Sequence, residues 1–125
     1  MKTIQLAGQD VSRIAMGCMR MGDLSVEEAA AAIQAARDVG INFFDHADIY
    51  AGGESEVRFA EAVRKLGIKR EDIVIQSKCG IDHGQYNFAK DYLLDCVDGI
   101  LSRLDTDYLD VLLLHRPDTL FEPEE

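Results

Sequence analysis

The sequence predicts a parallel α/β fold in which a β/α barrel is favoured, built from a hairpin, about three βα units and a fourth strand. Three observations carry this expectation. Short apolar strands alternate with helix-length amphipathic segments along the chain, the order that builds a parallel sheet with helices outside. Strands such as "DVLLLH" are almost continuously apolar, as strands covered on both faces tend to be. Neither a GxGxxG turn after the first strand nor a GxxxxGK[ST] loop occurs, which removes the usual support for dinucleotide-binding and P-loop folds.

The elements follow in order. Lys2 to Ile4 and Val11 to Arg13 flank the turn-rich "LAGQD", predicting a small N-terminal hairpin. "RIAMG" then reads as the first barrel strand, ending at Gly17. Ser25-Val26-Glu27-Glu28 has the form of a capping box. Behind it Val26, Ala29, Ile33, Ala36 and Val39 fall near one helix face, and Gly40 supplies a stop. Ile41 to Asp45 is a second strand. Glu54 to Leu66 is a second helix with a Val57, Ala60, Val63, Leu66 stripe, closed by Gly67. Ile73 to Lys78 is the third strand, and Phe88 to Leu104 the third helix, striped by Leu93, Val97, Ile100 and Leu104. Tyr108 to His115 is the fourth strand, after which "FEPEE" reads as a route into a fourth helix.

Composition narrows the function classes. The 125 residues are 47% hydrophobic and 29% charged, which suits one globular domain spanning 1–125. The net charge of -10 disfavours phosphate backbones and anionic lipid, so neither nucleic acid nor membrane is an expected partner. No apolar run approaches the roughly 20 residues that span a bilayer. "MKTIQLAGQD" lacks the apolar core of a secretory leader. The three cysteines, Cys18, Cys79 and Cys96, form no CxxC pair, so reduced thiols in a cytoplasmic protein are expected and no structural zinc site is.

The polar residues concentrate at strand ends. Side chains two apart share a face of a strand, so Phe43 with Asp45, Gln76 with Lys78, and Leu113 with His115 are pairs. If these faces point inward, Asp45, Lys78 and His115 meet at the C-terminal mouth of a barrel, where such folds place their chemistry. Tyr50 lies in the loop leaving the Asp45 strand. A free phenol, ionising near pH of about 10, is a poor acid at neutral pH, and a neighbouring ammonium favours its ionised form. Asp45 would keep Lys78 charged and in place, and His115 would orient a substrate oxygen. Such a set suits proton delivery to a carbonyl oxygen as negative charge builds on it.

Three stretches, "GINFFDHADIYAGGES", "IVIQSKCG" and "LSRLDTDYLDVLLLHRPD", together resemble the aspartate/tyrosine, lysine and histidine segments of the aldo-keto reductases. The N-terminal hairpin resembles the plug that closes that family's barrel. The resemblance implies NAD(P)H-dependent reduction of an aldehyde or ketone, with NADP(H) expected and NAD(H) allowed. Tyr50 would be the proton donor, Lys78 and Asp45 its partners, and His115 the group that steers the carbonyl. It also implies that Gly17, Cys18 and Met19, with Asp45, lie at the nicotinamide end of the cofactor. The family commonly has threonine where this chain has His46, which looks like the pattern of one bacterial branch and receives no role. A β/α barrel takes about 250 residues, so the resemblance implies the N-terminal half of a (β/α)8 TIM barrel, expected to hold the proton-transfer set without most of the cofactor site. It is accordingly expected to bind NADPH weakly when alone.

Plainer readings apply elsewhere. Asp48 is expected to be a loop carboxylate facing water or a nearby amide, and His83 an exposed loop residue. Cys79 and Cys96 are expected to pack rather than react. Tyr86, Tyr92 and Tyr108 are expected to pack with wet hydroxyls. Two other functions stand beside the reductase. One is a metal-dependent barrel hydrolase using Asp45, His46, Asp48 and His115, disfavoured by the charge of Lys78 and the lack of a His-x-His pair. The other is a non-catalytic half-barrel whose open strand edges drive homo-oligomer formation.

Overall fold

The computed structural model describes residues 1–120 and residue 122, so most of the anticipated route into a fourth helix lies outside the described residues. Strand β1 (Thr3–Leu6) turns through Ala7 and Gly8, both at positive φ, into β2 (Gln9–Ser12). Two positive-φ residues make the tight turn whose twist suits a hairpin. Asn42 fastens this hairpin beneath the sheet: it accepts from Ser12 N–H at 2.8 Å and donates to the Asp10 carbonyl at 2.9 Å.

The main sheet holds β3 (Ala15–Gly17), β4 (Phe43–Asp45), β5 (Val74–Cys79) and β8 (Val111–Leu114), parallel and in that order. Helices α1 (Val26–Asp38), α2 (Glu54–Leu66) and α3 (Lys90–Leu104) connect them. The result is a partial β/α barrel, as expected. Phe44, Ile75 and Cys79 pack with Ile33, Phe59, Ile100 and Leu104 to form the core between sheet and helices. No helix among the described residues is long and apolar enough to cross a membrane.

Several expectations need adjustment. The Ser25–Glu28 capping box forms on both sides, but α1 ends before Val39, which is 58% exposed. The fully buried residues of α2 are Ser55, Glu56, Phe59, Ala60 and Ala62; of the expected stripe, Ala60 is buried and Val63 and Leu66 pack against the core, so the buried face is wider than the stripe. Glu56 enters the interior because partners await it there. Helix α3 starts at Lys90 because Phe88 folds back over Gly80, where a Cβ would meet its ring at 2.4 Å. Strand β8 is shorter than the apolar run, because Tyr108 stacks under the Arg70 guanidinium and the Asp110 carboxylate accepts from the Ile75 N–H. Its leucines 112, 113 and 114 stay 40–46% exposed, so the covering of both faces inferred from "DVLLLH" is not present among the described residues: β8 is an open edge. The polar loop "GIDHGQYN" holds a small hairpin, β6 (Ile81–Asp82) with β7 (Gln85–Tyr86), turning through positive-φ His83 and Gly84.

Candidate active site

Strand register brings the polar residues together. Gly17 pairs with Asp45, Asp45 with Gln76, Gln76 with Val111, and Lys78 with Leu113. Past Asp45 the chain keeps bonding to β5, through His46 N–H to the Gln76 carbonyl and Asp48 N–H to the Lys78 carbonyl. It then enters a short turn, Tyr50–Gly53, in which Ala51, Gly52 and Gly53 all have positive φ. That reversal returns the chain into α2 and leaves Tyr50 over the strand ends. His115 extends β8, its N–H on the Cys79 carbonyl at 2.8 Å.

Lys78 is the hub. Its Nζ lies 2.8 Å from both Asp45 carboxylate oxygens, 2.8 Å from the His46 carbonyl and 3.2 Å from the Tyr50 hydroxyl. An ammonium has three N–H donors and no acceptor. With carboxylate and carbonyl taking two of them, the third goes to the phenol oxygen, and the phenol's own proton is left free to be donated. Lys78 and Asp45 side chains are 13% and 26% exposed, enough shelter for these bonds to act at low local dielectric. The His115 ring stands edge-on to the Tyr50 ring, centroids 6.0 Å apart. Burial, helped by the Lys78 charge, holds His115 below the usual histidine range, so it is a neutral imidazole at pH 7.

The residues expected at the cofactor divide. Gly17 and Met19 are exposed at the end of β3 beside Asp45, and a Cβ at Gly17 would meet nothing within 4 Å. The Cys18 thiol instead lies in the core, only 1% exposed, and burial pushes it up to about 12. The thiol is therefore not offered at the mouth, contrary to the contact expected of it. Cys18 contributes through its backbone, whose N–H donates to the Asp45 carbonyl at 2.9 Å.

One expectation about a neighbouring residue also changes. Asp48 does not simply face water: it is half-buried, and its Oδ1 is enclosed without a hydrogen-bond partner. Burial holds its carboxyl above the usual range, opposed by Cys96 and by the charge of Arg103. Tyr92 is half-buried, and its hydroxyl donates to the Ile81 carbonyl. His83 is exposed, and Cys79 is buried, as expected. The donor set of the hydrolase alternative is not assembled, because the His46 ring faces inward onto Phe59. Among the described residues, no three His, Cys, Asp or Glu side chains converge to hold a metal.

Sequence reasoning missed three contributors. The His46 carbonyl is a main-chain acceptor and carries no residue signature. Gln76 was placed on the Lys78 face without a role, and it donates to Asp45 Oδ1 at 2.6 Å. Glu56 is wholly buried, accepting from Ser77 Oγ and from Arg103 Nε, both at 2.7 Å. This trio braces α2 and α3 against β5 directly behind Lys78. A surface hollow of about 560 Å³ beside Arg70, Ser102 and Asp107 lies away from the strand ends that carry Asp45, Lys78 and His115 and adds nothing to the site.

Comparison with known proteins gives the family. The family model described as "Aldo/keto reductase family" matches residues 13–125. A protein of Oryza sativa subsp. japonica described as "Probable voltage-gated potassium channel subunit beta" is 38% identical over 129 residues, covering 99% of this chain and 39% of that protein. Oxidoreductase YdhF of Escherichia coli (strain K12) is 37% identical over 133 residues, covering 98% of this chain and 45% of its own length. Among solved structures, an aldo-keto reductase from Klebsiella pneumoniae in complex with NADPH matches with a TM-score of 0.78 at 34% identity, over 94% of this chain and 40% of that one. The chain thus spans less than half the length of each of these relatives. With a family model covering nearly every residue and a shared fold at this identity, the assignment is direct: the chain belongs to the aldo/keto reductase family.

Proposed function

We propose that these residues are the proton-transfer half of an oxidoreductase that reduces a small aldehyde or ketone to an alcohol with NAD(P)H. The observation that carries the reading is the triple commitment of the Lys78 ammonium to Asp45, the His46 carbonyl and Tyr50. Tyr50 is the proton donor to the carbonyl oxygen, Lys78 orients it and supports the phenolate left behind, and Asp45 anchors Lys78. His115, neutral and edge-on to Tyr50, steers the carbonyl oxygen toward the phenol by hydrogen bonding. The open ground at Gly17 and Met19 beside Asp45 fits the nicotinamide end of a cofactor, with the Cys18 backbone supporting it. A reduced nicotinamide bound there supplies the hydride. NADP(H) is favoured because the Klebsiella relative is described with NADPH; NAD(H) stays within the reading.

Residues 1–125 belong in this reading to one barrel domain with a cytoplasmic setting, in keeping with three free thiols. Alone they are expected to bind NADPH weakly and to associate with further copies through the β3 and β8 edges, a second reading favoured by the exposed β8 leucines. The catalytic reading is tested by NADPH-linked aldehyde reduction in a complete barrel carrying this segment, native or made by joining it to the second half of a relative. Tyr50→Phe is expected to lower kcat by about 10²–10⁴-fold, the usual worth of a general acid, with carbonyl binding retained. Unchanged turnover would end the assignment.

A further inference from the structure

Ser55 stands outside the proton-transfer set, yet it is wholly buried and its hydroxyl is used twice by a distant part of the chain. Oγ accepts from the Gly22 N–H at 3.0 Å and donates to the Met19 carbonyl at 3.1 Å. A hydroxyl has one proton to give and lone pairs to receive with, so both bonds stand together. We propose that Ser55 is a positioning residue that fastens the loop after β3, which carries Met19, to the turn that carries Tyr50. Its catalytic consequence rests on the reading of Tyr50 as proton donor with a nicotinamide beside Met19; its structural consequence does not.

The tie follows from where Ser55 falls. It is the second residue of α2, directly after the reversal that leaves Tyr50 over the strand ends. In the loop after β3, Met21 joins the core while Met19 stands exposed, and the two Ser55 bonds bracket Arg20 and Met21. Beside the hydroxyl the segments touch directly. A Cβ at Gly22 would lie 2.6 Å from the Ala51 Cβ and 3.1 Å from the Ser55 nitrogen, so only glycine lets the loop come this close. Ala51, next to Tyr50, holds a φ of 50°, which a residue with a side chain keeps only where its surroundings fix it. Arg103 lies across Gly53, where a Cβ would meet its Cδ at 2.9 Å. The turn is thus packed at both ends, by Gly22 at Ala51 and by Arg103 at Gly53.

Carbonyl reduction needs such a tie. The carbonyl takes hydride at its carbon and the Tyr50 proton at its oxygen, the C=O electron pair becoming the O–H bond of the alcohol. The two donors must therefore stand at a separation that matches one small group, and a misplacement of about 1 Å costs on the order of 10²-fold. Neither support belongs to the sheet itself, since Met19 lies past the end of β3 and Tyr50 past the end of β4. Ser55 holds both segments to one oxygen atom. Being wholly buried, it acts through their main chain.

The test reads amide hydrogen exchange by NMR on the 125-residue chain, so it needs no cofactor. The Gly22 N–H reports the loop, and the Gly52 N–H, bonded to the Ile49 carbonyl at 3.1 Å, reports the turn. The Ile33 N–H in α1 reports the fold as a whole. Ser55→Ala is expected to speed Gly22 exchange about tenfold, the worth of one hydrogen bond, and to carry Gly52 with it. Ile33 should stay within about twofold, because the opening is local. Acceleration at Gly22 alone would overturn the tie, and equal acceleration at all three would make Ser55 a general stability residue. Should Ser55→Ala fail to fold, Gly22→Ala decides the matter from the other segment. Its Cβ is expected to displace Ala51 and speed Gly52 exchange about tenfold, as overpacking does. Adding Ala51→Gly removes the colliding methyl and should restore exchange to within about threefold. No change at Gly52, or no restoration, would overturn the proposal.

In a complete barrel, Ser55→Ala should lower kcat about tenfold with KM for the aldehyde within about twofold, the split expected when the chemical step alone is disturbed. If exchange changes as expected while Tyr50→Phe leaves turnover intact, the tie stands and the proton-donor reading falls. If Tyr50→Phe abolishes turnover while Ser55→Ala keeps kcat within about twofold, the proton donor stands and the positioning role is overturned.

Discussion

His46 is the residue at which sequence and structure part furthest. The sequence offered its side chain no role. In the fold its carbonyl holds Lys78, while its ring is fully buried, edge-on to Phe59, with both nitrogens unpartnered. Burial pushes it down to about 3, against the pull of Asp45. A base whose folded pKa lies below its unfolded value takes up protons first in the unfolded chain. Its contribution is therefore intact above about 6.5 and is lost as the pH falls from there toward about 3. His46→Leu removes that term. The gap between the urea midpoints of variant and wild type should widen in favour of the variant as the pH falls across this window. A constant gap would mean that the ring is not held neutral.

At the scale of elements, most of the framework was legible. The capping box of α1, the glycine stop of α2 and the three strand-end residues Asp45, Lys78 and His115 follow from local signals that tertiary packing left standing. What was not legible depends on partners distant in sequence. Glu56 has no signature in the sequence, because nothing local announces that Ser77 and Arg103 will meet it. For the same reason the full width of the buried face of α2 was not legible, nor was the start of α3, which Phe88 sets by covering Gly80. The Cys18 thiol followed the apolar side of its strand end into the core, a matter of side-chain direction that residue type does not reveal. Glu56→Ala would leave Arg103 facing an empty partner position. Breaking a buried pair costs about 3–5 kcal/mol, and the lower part of that range is expected because Arg103 is 31% exposed. Urea unfolding measures it. A loss below about 1 kcal/mol, the worth of a surface ion pair, would show that the trio does not brace the helices.

For the molecule as a whole, an eightfold barrel closes its sheet, whereas the described residues present four parallel strands with β3 and β8 at the edges. Unpaired edges and exposed leucines favour association, and the net charge of -10 opposes it. Association should therefore strengthen with added salt, which screens the charge. Sedimentation of the 125-residue chain is expected to show copies associating, with Leu112→Lys shifting the population toward monomer. A monomer at every salt concentration would exclude the edge-pairing reading and leave the catalytic one untouched.

The central claim is that the Lys78 ammonium gives one proton each to Asp45, the His46 carbonyl and Tyr50, which frees the phenol to donate its own. Neutron diffraction from deuterated crystals observes this directly. The account predicts three deuterons on Lys78 Nζ, aimed at the Asp45 carboxylate, the His46 carbonyl oxygen and the Tyr50 oxygen, with the Tyr50 deuteron pointing away from Nζ. A Tyr50 deuteron aimed at a Lys78 nitrogen carrying only two would contradict it.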